Sequence, residues 1–204
     1  MSEIKVEFLF DFGSPNAYFC HKVIPDIEKR TGVKFKYVPI LLGGLFKLTN
    51  NRSPAEAFAA IKNKRAYDRL EIERFIKTHG LNKFQMNPNF PVNTLQIMRG
   101  AIAAQKLNCF EQYVEIVYAA MWEQGLKMDE KEIIFKVLQD GGLNPQLIMD
   151  KSQDEIVKKE LISNTEEVDK RGAFGSPTFF VNGEIYFGKD RLNEIEEEIK
   201  RLSI

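Results

Sequence analysis

The residue around which the sequence is organised is Ser14. It follows a short apolar run from Val6 to Phe10 and the triplet Asp11-Phe12-Gly13, and it precedes Pro15 and a helical pattern. Serine is a good helix N-cap, and proline at the first helical position loses nothing, because that N–H has no partner in any case. The chain therefore passes from buried strand to helix mouth in a few residues and leaves a hydroxyl among unpaired N–H groups. Such a mouth carries roughly half a positive charge and stabilises an anion set against it. Read from its neighbours alone, Ser14 is first of all a cap; read for chemistry, it is a donor aimed at an anion.

Other reactive groups are few. Cys20 and Cys109 are far apart and form no C-x-x-C pair, and His21 and His79 are the only histidines. This argues against a structural zinc site, a disulfide scaffold or a resident metal, and leaves few candidates for a His-dependent triad. Lys plus Arg and Asp plus Glu balance at 29 each, so the basic footprint of a nucleic-acid binder is missing. No apolar run approaches the roughly 18 residues of a membrane span, and no signal-peptide pattern precedes the first strand. With 44% hydrophobic and 28% charged residues the chain has material for a sizeable core. The expectation is a reduced, cytoplasmic protein without membrane or nucleic-acid partners.

The elements that would position Ser14 follow from periodicity. Residues 4–11 read as a strand, Ser14 to Arg30 as a helix with Ala17, Tyr18, Cys20, Val23, Ile24 and Ile27 on one face, and Val33 to Leu42 as a second strand. Gly43-Gly44 breaks that strand, and Leu45 to Pro54 reads as irregular. Helices are expected at about 56–79, 92–106, 108–124, 129–140 and 144–149, then from Gln153 to Lys170. Ser176 to Val181 and Glu184 to Phe187 form a hairpin about Asn182-Gly183, the strongest short turn signal available. Asp190 is placed to cap the last helix. A βαβ unit, a helical block and a ββα unit make an α/β, thioredoxin-like fold with a large all-helical insertion of the DsbA type. Residues 1–44 and 150–204 would form the thioredoxin-like part and 45–149 the insertion.

Seven short stretches resemble one family. They are Asp11 to Tyr18, Thr49 to Pro54, Lys64 to Tyr67 with Arg74, Phe90 to Thr94, Met121 to Gly125, Gly175 to Phe179, and Phe187 to Arg191. In this order they are similar to the 2-hydroxychromene-2-carboxylate isomerases and the kappa-class glutathione transferases, of the DsbA-like thioredoxin superfamily. Asn16 stands where the isomerases carry an aromatic residue, Asn50 replaces a Gly and Ser53 a Pro; these departures bear on the substrate more than on the cofactor.

The resemblance implies glutathione as cofactor, with roles for named residues. Ser14 and Ala17 hold the positions of the two cysteines of disulfide oxidoreductases, which removes disulfide exchange by the usual route. The thiol would instead be borrowed: Ser14 donates its hydroxyl hydrogen to a glutathione thiolate at the helix mouth. Lowering a thiol pKa by two units takes roughly 2.7 kcal/mol, within reach of a helix terminus and one hydrogen bond. Pro177 is implied to be cis, with Ser176 offering its backbone to the cysteinyl part. Asp190, beside Lys189, would bind the γ-glutamyl ammonium. Asn51 and Lys64 are the remaining implied glutathione contacts. Trp122 reads as core on a helical face with Tyr118 and Met121.

The leading activity is glutathione-dependent isomerisation of an aromatic acid of the hydroxychromene type. A kappa-like transferase conjugating an electrophile shares the same thiol chemistry, and a non-catalytic binding protein of the same fold is the alternative from another class. The resemblance also implies a homodimer.

Overall fold

The computed structural model describes residues 3–203; the first two residues and the last, which fall within the expected thioredoxin-like spans, lie outside it. Four strands pair in the order β2 (Phe35–Pro39), β1 (Val6–Phe10), β3 (Thr178–Val181) and β4 (Glu184–Phe187). β1 and β2 are parallel and joined by helix α1 (Pro15–Thr31), whereas β1–β3 and β3–β4 are antiparallel. Both faces of β1 are covered, which is why its sequence reads as nearly unbroken apolar. Phe8 and Phe10 enter the main core with Phe179, while Leu9 joins Phe180, Ile40, Leu45, Val168 and Ala173 in a smaller cluster on the other face. The hairpin forms as its sequence requires, with Asn182 at φ 48° and Gly183 at φ 94°.

Between the two halves run α2 (Leu42–Leu48), α3 (Pro54–Ala57), α4 (Lys64–His79), α5 (Leu95–Lys106), α6 (Phe110–Trp122), α7 (Lys131–Asp140) and α8 (Pro145–Lys151). α9 (Glu155–Lys170) leads back to β3, and α10 (Leu192–Leu202) follows a 3-10 turn at Lys189–Arg191. α5 is the centre of the helical block and packs on α6, α8 and α9. Gly100 on α5 permits the closest approach there. A Cβ at that position would strike the Tyr113 hydroxyl, which donates to the Ile97 carbonyl at 2.8 Å. No helix among the described residues is long and apolar enough to cross a membrane.

Three local expectations are corrected. The second strand ends at Pro39 rather than Leu42, and Gly43-Gly44, expected to break the chain, lie inside α2. Tertiary contacts override the low helix propensity of glycine here. Leu45 is fully buried in the smaller cluster, and the Leu42 N–H at the start of α2 donates to the Asp11 carboxylate. The helix expected over 56–79 is divided, because Asn63 takes a left-handed conformation at φ 70°, which asparagine tolerates better than most residues. Asp190 does not cap the last helix. It lies within the 3-10 turn with its carboxylate on the Lys189 ammonium, and α10 begins behind Arg191 with no side-chain cap.

Candidate active site

The turn from strand to helix is held by its own sequence. Ser14 caps α1, its Oγ accepting the Ala17 N–H at 3.2 Å, and Pro15 takes the first helical position. The Ser14 N–H donates to the Asp11 carbonyl at 3.0 Å, and the Ser14 carbonyl accepts the Tyr18 N–H at 3.1 Å. Among the described residues this leaves the Asn16 N–H as the first-turn donor without an acceptor. The Ser14 hydroxyl is buried and donates to the Ser176 carbonyl at 2.9 Å. Ser176–Pro177 is a cis peptide bond, and the hydrogen bond from Ser14 sets Ser176 and Pro177 beside the start of α1.

The helical block reaches across to hold the same turn. The Phe12 N–H points to Met98 Sδ of α5 at 3.4 Å, and the Phe12 carbonyl accepts Trp122 Nε1–H of α6 at 2.8 Å. The Asp11 carboxylate is fully buried, accepting the Gly13 and Leu42 N–H groups at 2.8 Å each. The Thr94 side chain, just before α5, lies beside Gly13 of the same turn. The Asp11 carboxyl pKa is raised from its ordinary value: burial pushes it up, and the pull of its hydrogen-bond donors does not offset that. Sequence reasoning passed over Asp11, Thr94 and Met98. A carboxylate closing a buried strand was the available signal, because such a group must have donors from elsewhere in the fold.

A second region continues from the first. The Gly188 N–H donates to the Pro177 carbonyl at 3.0 Å, which brings Lys189 and Asp190 up to the proline. They line a cleft of about 230 Å³ with Leu192 and Asn193 on one side and Glu71, Arg74, Phe75, Thr78 and His79 of α4 on the other. Lys189 is only 5% exposed, with its ammonium 4.9 Å from the centre of the Phe75 ring and paired to Asp190. Arg74 pairs with Glu71, and burial holds the His79 pKa below its ordinary value. Phe75 also touches Phe19 of α1, ring centres 5.4 Å apart, five residues or roughly 7.5 Å along the axis from Ser14. The α4 residues of the cleft carry no local signal beyond Arg74, since only the fold brings that helix against the 3-10 turn.

The other candidates are placed as follows. Asn51 lies beside the Ser176 loop, its Nδ2 donating to the Phe174 carbonyl at 2.9 Å. Lys64 is not brought to the cleft: it sits at the far end of α4, paired with Asp68 and 5.4 Å from the Phe58 ring. Cys20 is fully buried, and burial pushes its thiol pKa well up, so it offers no nucleophile at neutral pH. Trp122 is fully buried and packs near Phe84 and Phe90.

The fold has counterparts among known proteins. A family model described as DSBA-like thioredoxin domain matches residues 5–200. The chain is 23% identical to the 2-hydroxychromene-2-carboxylate isomerase of Sphingobium xenophagum over 94% of this chain and 95% of that protein. It is 26% identical to glutathione S-transferase kappa 1 of Caenorhabditis elegans over 97% of this chain and 91% of that one. Among solved structures, a 2-hydroxychromene-2-carboxylate isomerase superposes with a TM-score of 0.83 at 23% identity, covering 97% and 95% of the two chains. A probable DsbA oxidoreductase from Streptomyces coelicolor gives 0.76 at 13% identity, over 97% and 89%. With the family model spanning nearly all of its length, the chain belongs to the DSBA-like thioredoxin family.

Proposed function

We propose that the protein is a glutathione-dependent isomerase acting on aromatic acids of the 2-hydroxychromene-2-carboxylate kind. The observation that carries this reading is the Ser14 hydroxyl, seated at a helix mouth and 2.9 Å from the Ser176 carbonyl, where disulfide oxidoreductases of this fold carry a thiol. When bound, glutathione supplies a thiolate that adds reversibly to a conjugated carbon, allows bond rotation and leaves unchanged.

The residues present fit such a ligand. Three extended residues span about 10 Å, and the Gly188 N–H on the Pro177 carbonyl brings Lys189 and Asp190 next to the proline that follows Ser176, the partner of Ser14. The cleft holds cations at Lys189 and Arg74 beside the carboxylates of Asp190 and Glu71, a set suited to a zwitterionic amino-acid head. Lys189 already occupies Asp190, so a ligand ammonium has to share that carboxylate. At the mouth, the Ser176 carbonyl that now accepts the Ser14 hydroxyl is also the acceptor for a cysteinyl N–H. Occupying it releases the hydroxyl to turn towards the sulfur, joining the Asn16 N–H as a second donor. Asn51 holds the Phe174 carbonyl and so fixes the approach to Ser176. Lys64 contributes only if α4 shifts or its pair with Asp68 opens.

A kappa-like transferase would use the same mouth, and the fate of the thiol separates the two. Glutathione recovered unchanged with an isomerised product supports the proposal; a stable conjugate replaces it with the transferase reading. Failure of glutathione to bind in calorimetry overturns both and leaves the non-catalytic binding protein. The homodimer is likewise a proposal, checked by sedimentation equilibrium, and the two unpaired cysteines fit the reducing, cytoplasmic setting that we infer.

A further inference from the structure

We infer that Asp11 is a positioning residue whose fixed negative charge sets the acidity of any thiol placed at the Ser14 mouth. The inference rests on reading Ser14 as the sulfur site. Its geometry is specific. Asp11 is fully buried, and its two carboxylate oxygens accept N–H groups from separate places, Oδ1 from Gly13 and Oδ2 from Leu42, each at 2.8 Å. The Thr94 side chain at the start of α5 lies beside Gly13 of the same turn. Burial raises the Asp11 pKa, but two backbone N–H donors, one on each oxygen, match the ionised, acceptor-only carboxylate. The backbone carbonyl of the same residue accepts the Ser14 N–H at 3.0 Å, so the charge is built into the turn that carries the cap.

A charge in that position works against the helix. Thiols at helix mouths are driven to pKa values of roughly 3.5–7.5, and a thiolate loses nucleophilicity as its pKa falls. A buried carboxylate close behind the mouth disfavours a second negative charge there and holds the thiol nearer to neutral. The other groups facing Asp11 do not cancel it. Thr94 and the Leu42 N–H are neutral groups, and the Tyr118 phenol of α6 stays protonated, since burial pushes its ionisation well up. If Asp11 were only a hub for the turn, its loss would loosen the mouth and let the thiol rise towards about 8.5, the free value. The two roles therefore predict opposite signs.

The test uses a thiol belonging to the protein, so it does not depend on glutathione. In the full-length chain carrying Cys109→Ser, Ser14→Cys is titrated by thiolate absorbance, with and without Asp11→Asn. Removing the charge is expected to lower the pKa of the introduced thiol by about one unit, a tenfold change in its ionisation constant. No change, or a rise towards the free value, overturns the inference. Should Asp11→Asn fail to fold, the Asp11 carboxyl resonance is followed by NMR in the Ser14→Cys protein. A shift of that resonance at the thiol's own midpoint supports the coupling, and a flat trace there overturns it. Failure of wild-type protein to bind glutathione is a separate result, which sinks the proposed cofactor and leaves this measurement standing.

Discussion

The mouth at Ser14 and the cleft at Lys189 and Asp190 are neighbours, joined by one hydrogen bond from Gly188 to Pro177, yet they are built in opposite ways. In the mouth, the Phe12 backbone is held by Met98 of α5 and Trp122 of α6, the Gly13 N–H by the Asp11 carboxylate and the Ser14 hydroxyl by the Ser176 carbonyl before β3. Asp11, Phe12 and Ser14 are buried. In the cleft the contacts are between side chains, and Asp190 and Arg74 are each 65% exposed. Backbone bonds in a buried turn cannot re-pair without local unfolding, whereas the exposed Asp190 carboxylate and Arg74 guanidinium can change partners at little cost. The contrast suits a division of labour, with chemistry on the preorganised turn and recognition on side chains that can adapt.

The contrast can be broken from the insertion side. Trp122→Ala removes a fully buried ring and leaves the Phe12 carbonyl without its donor, so a loss of about 3–5 kcal/mol in chemical denaturation is expected. A loss below 1 kcal/mol would mean that the block does not hold the mouth. Next in size is Ser14→Ala. It should lower kcat about a hundredfold, with glutathione affinity within threefold and a capping loss of about 1 kcal/mol. An affinity loss at unchanged kcat would move Ser14 into the recognition class.

Asp190→Asn should do the reverse, weakening glutathione binding about tenfold in calorimetry while kcat at saturation stays within threefold. Equal loss in both parameters would erase the distinction between the regions. The smallest effect is expected from acid, which acts on the contacts that hold α1 from both sides. Glu115 of α6 bonds His21 and Lys22, Glu196 of α10 bonds Arg30 and Lys200, and these hydrogen bonds hold both carboxyls down at about 2. Because the folded values lie below the unfolded ones, the contribution is complete above about pH 4.5 and is lost as pH falls through about 2. Solvent screening of the exposed partners limits it. Glu115→Gln and Glu196→Gln should flatten the decline in thermal midpoint between pH 5 and 2; an unaltered slope would show that other carboxylates dominate.

Legibility followed the range of the interactions. Ser14-Pro15 announced the start of α1, Asn182-Gly183 the hairpin, and the apolar periodicity most of the helices, because caps, turns and amphipathic faces are settled within a few residues of one another. Asp190 shows the limit. Its type and place fitted an N-cap, yet Lys189 beside it is buried against Phe75 and claims its carboxylate.

What the sequence alone determined was the order of the strands and of most helices, the missing thiol at a helix mouth, and with them the family. What only the tertiary structure decided was the set of partners. A helix runs through Gly43-Gly44 because Leu45 finds a buried site and Asp11 meets the Leu42 N–H. Lys189 is sheltered because α4 lies across it, and the buried Phe12 carbonyl is satisfied because Trp122, 110 residues away in sequence, donates to it. Local chemistry offers each residue several satisfactory conformations. Burial removes the competition of water, and the donors and acceptors it brings together then select one.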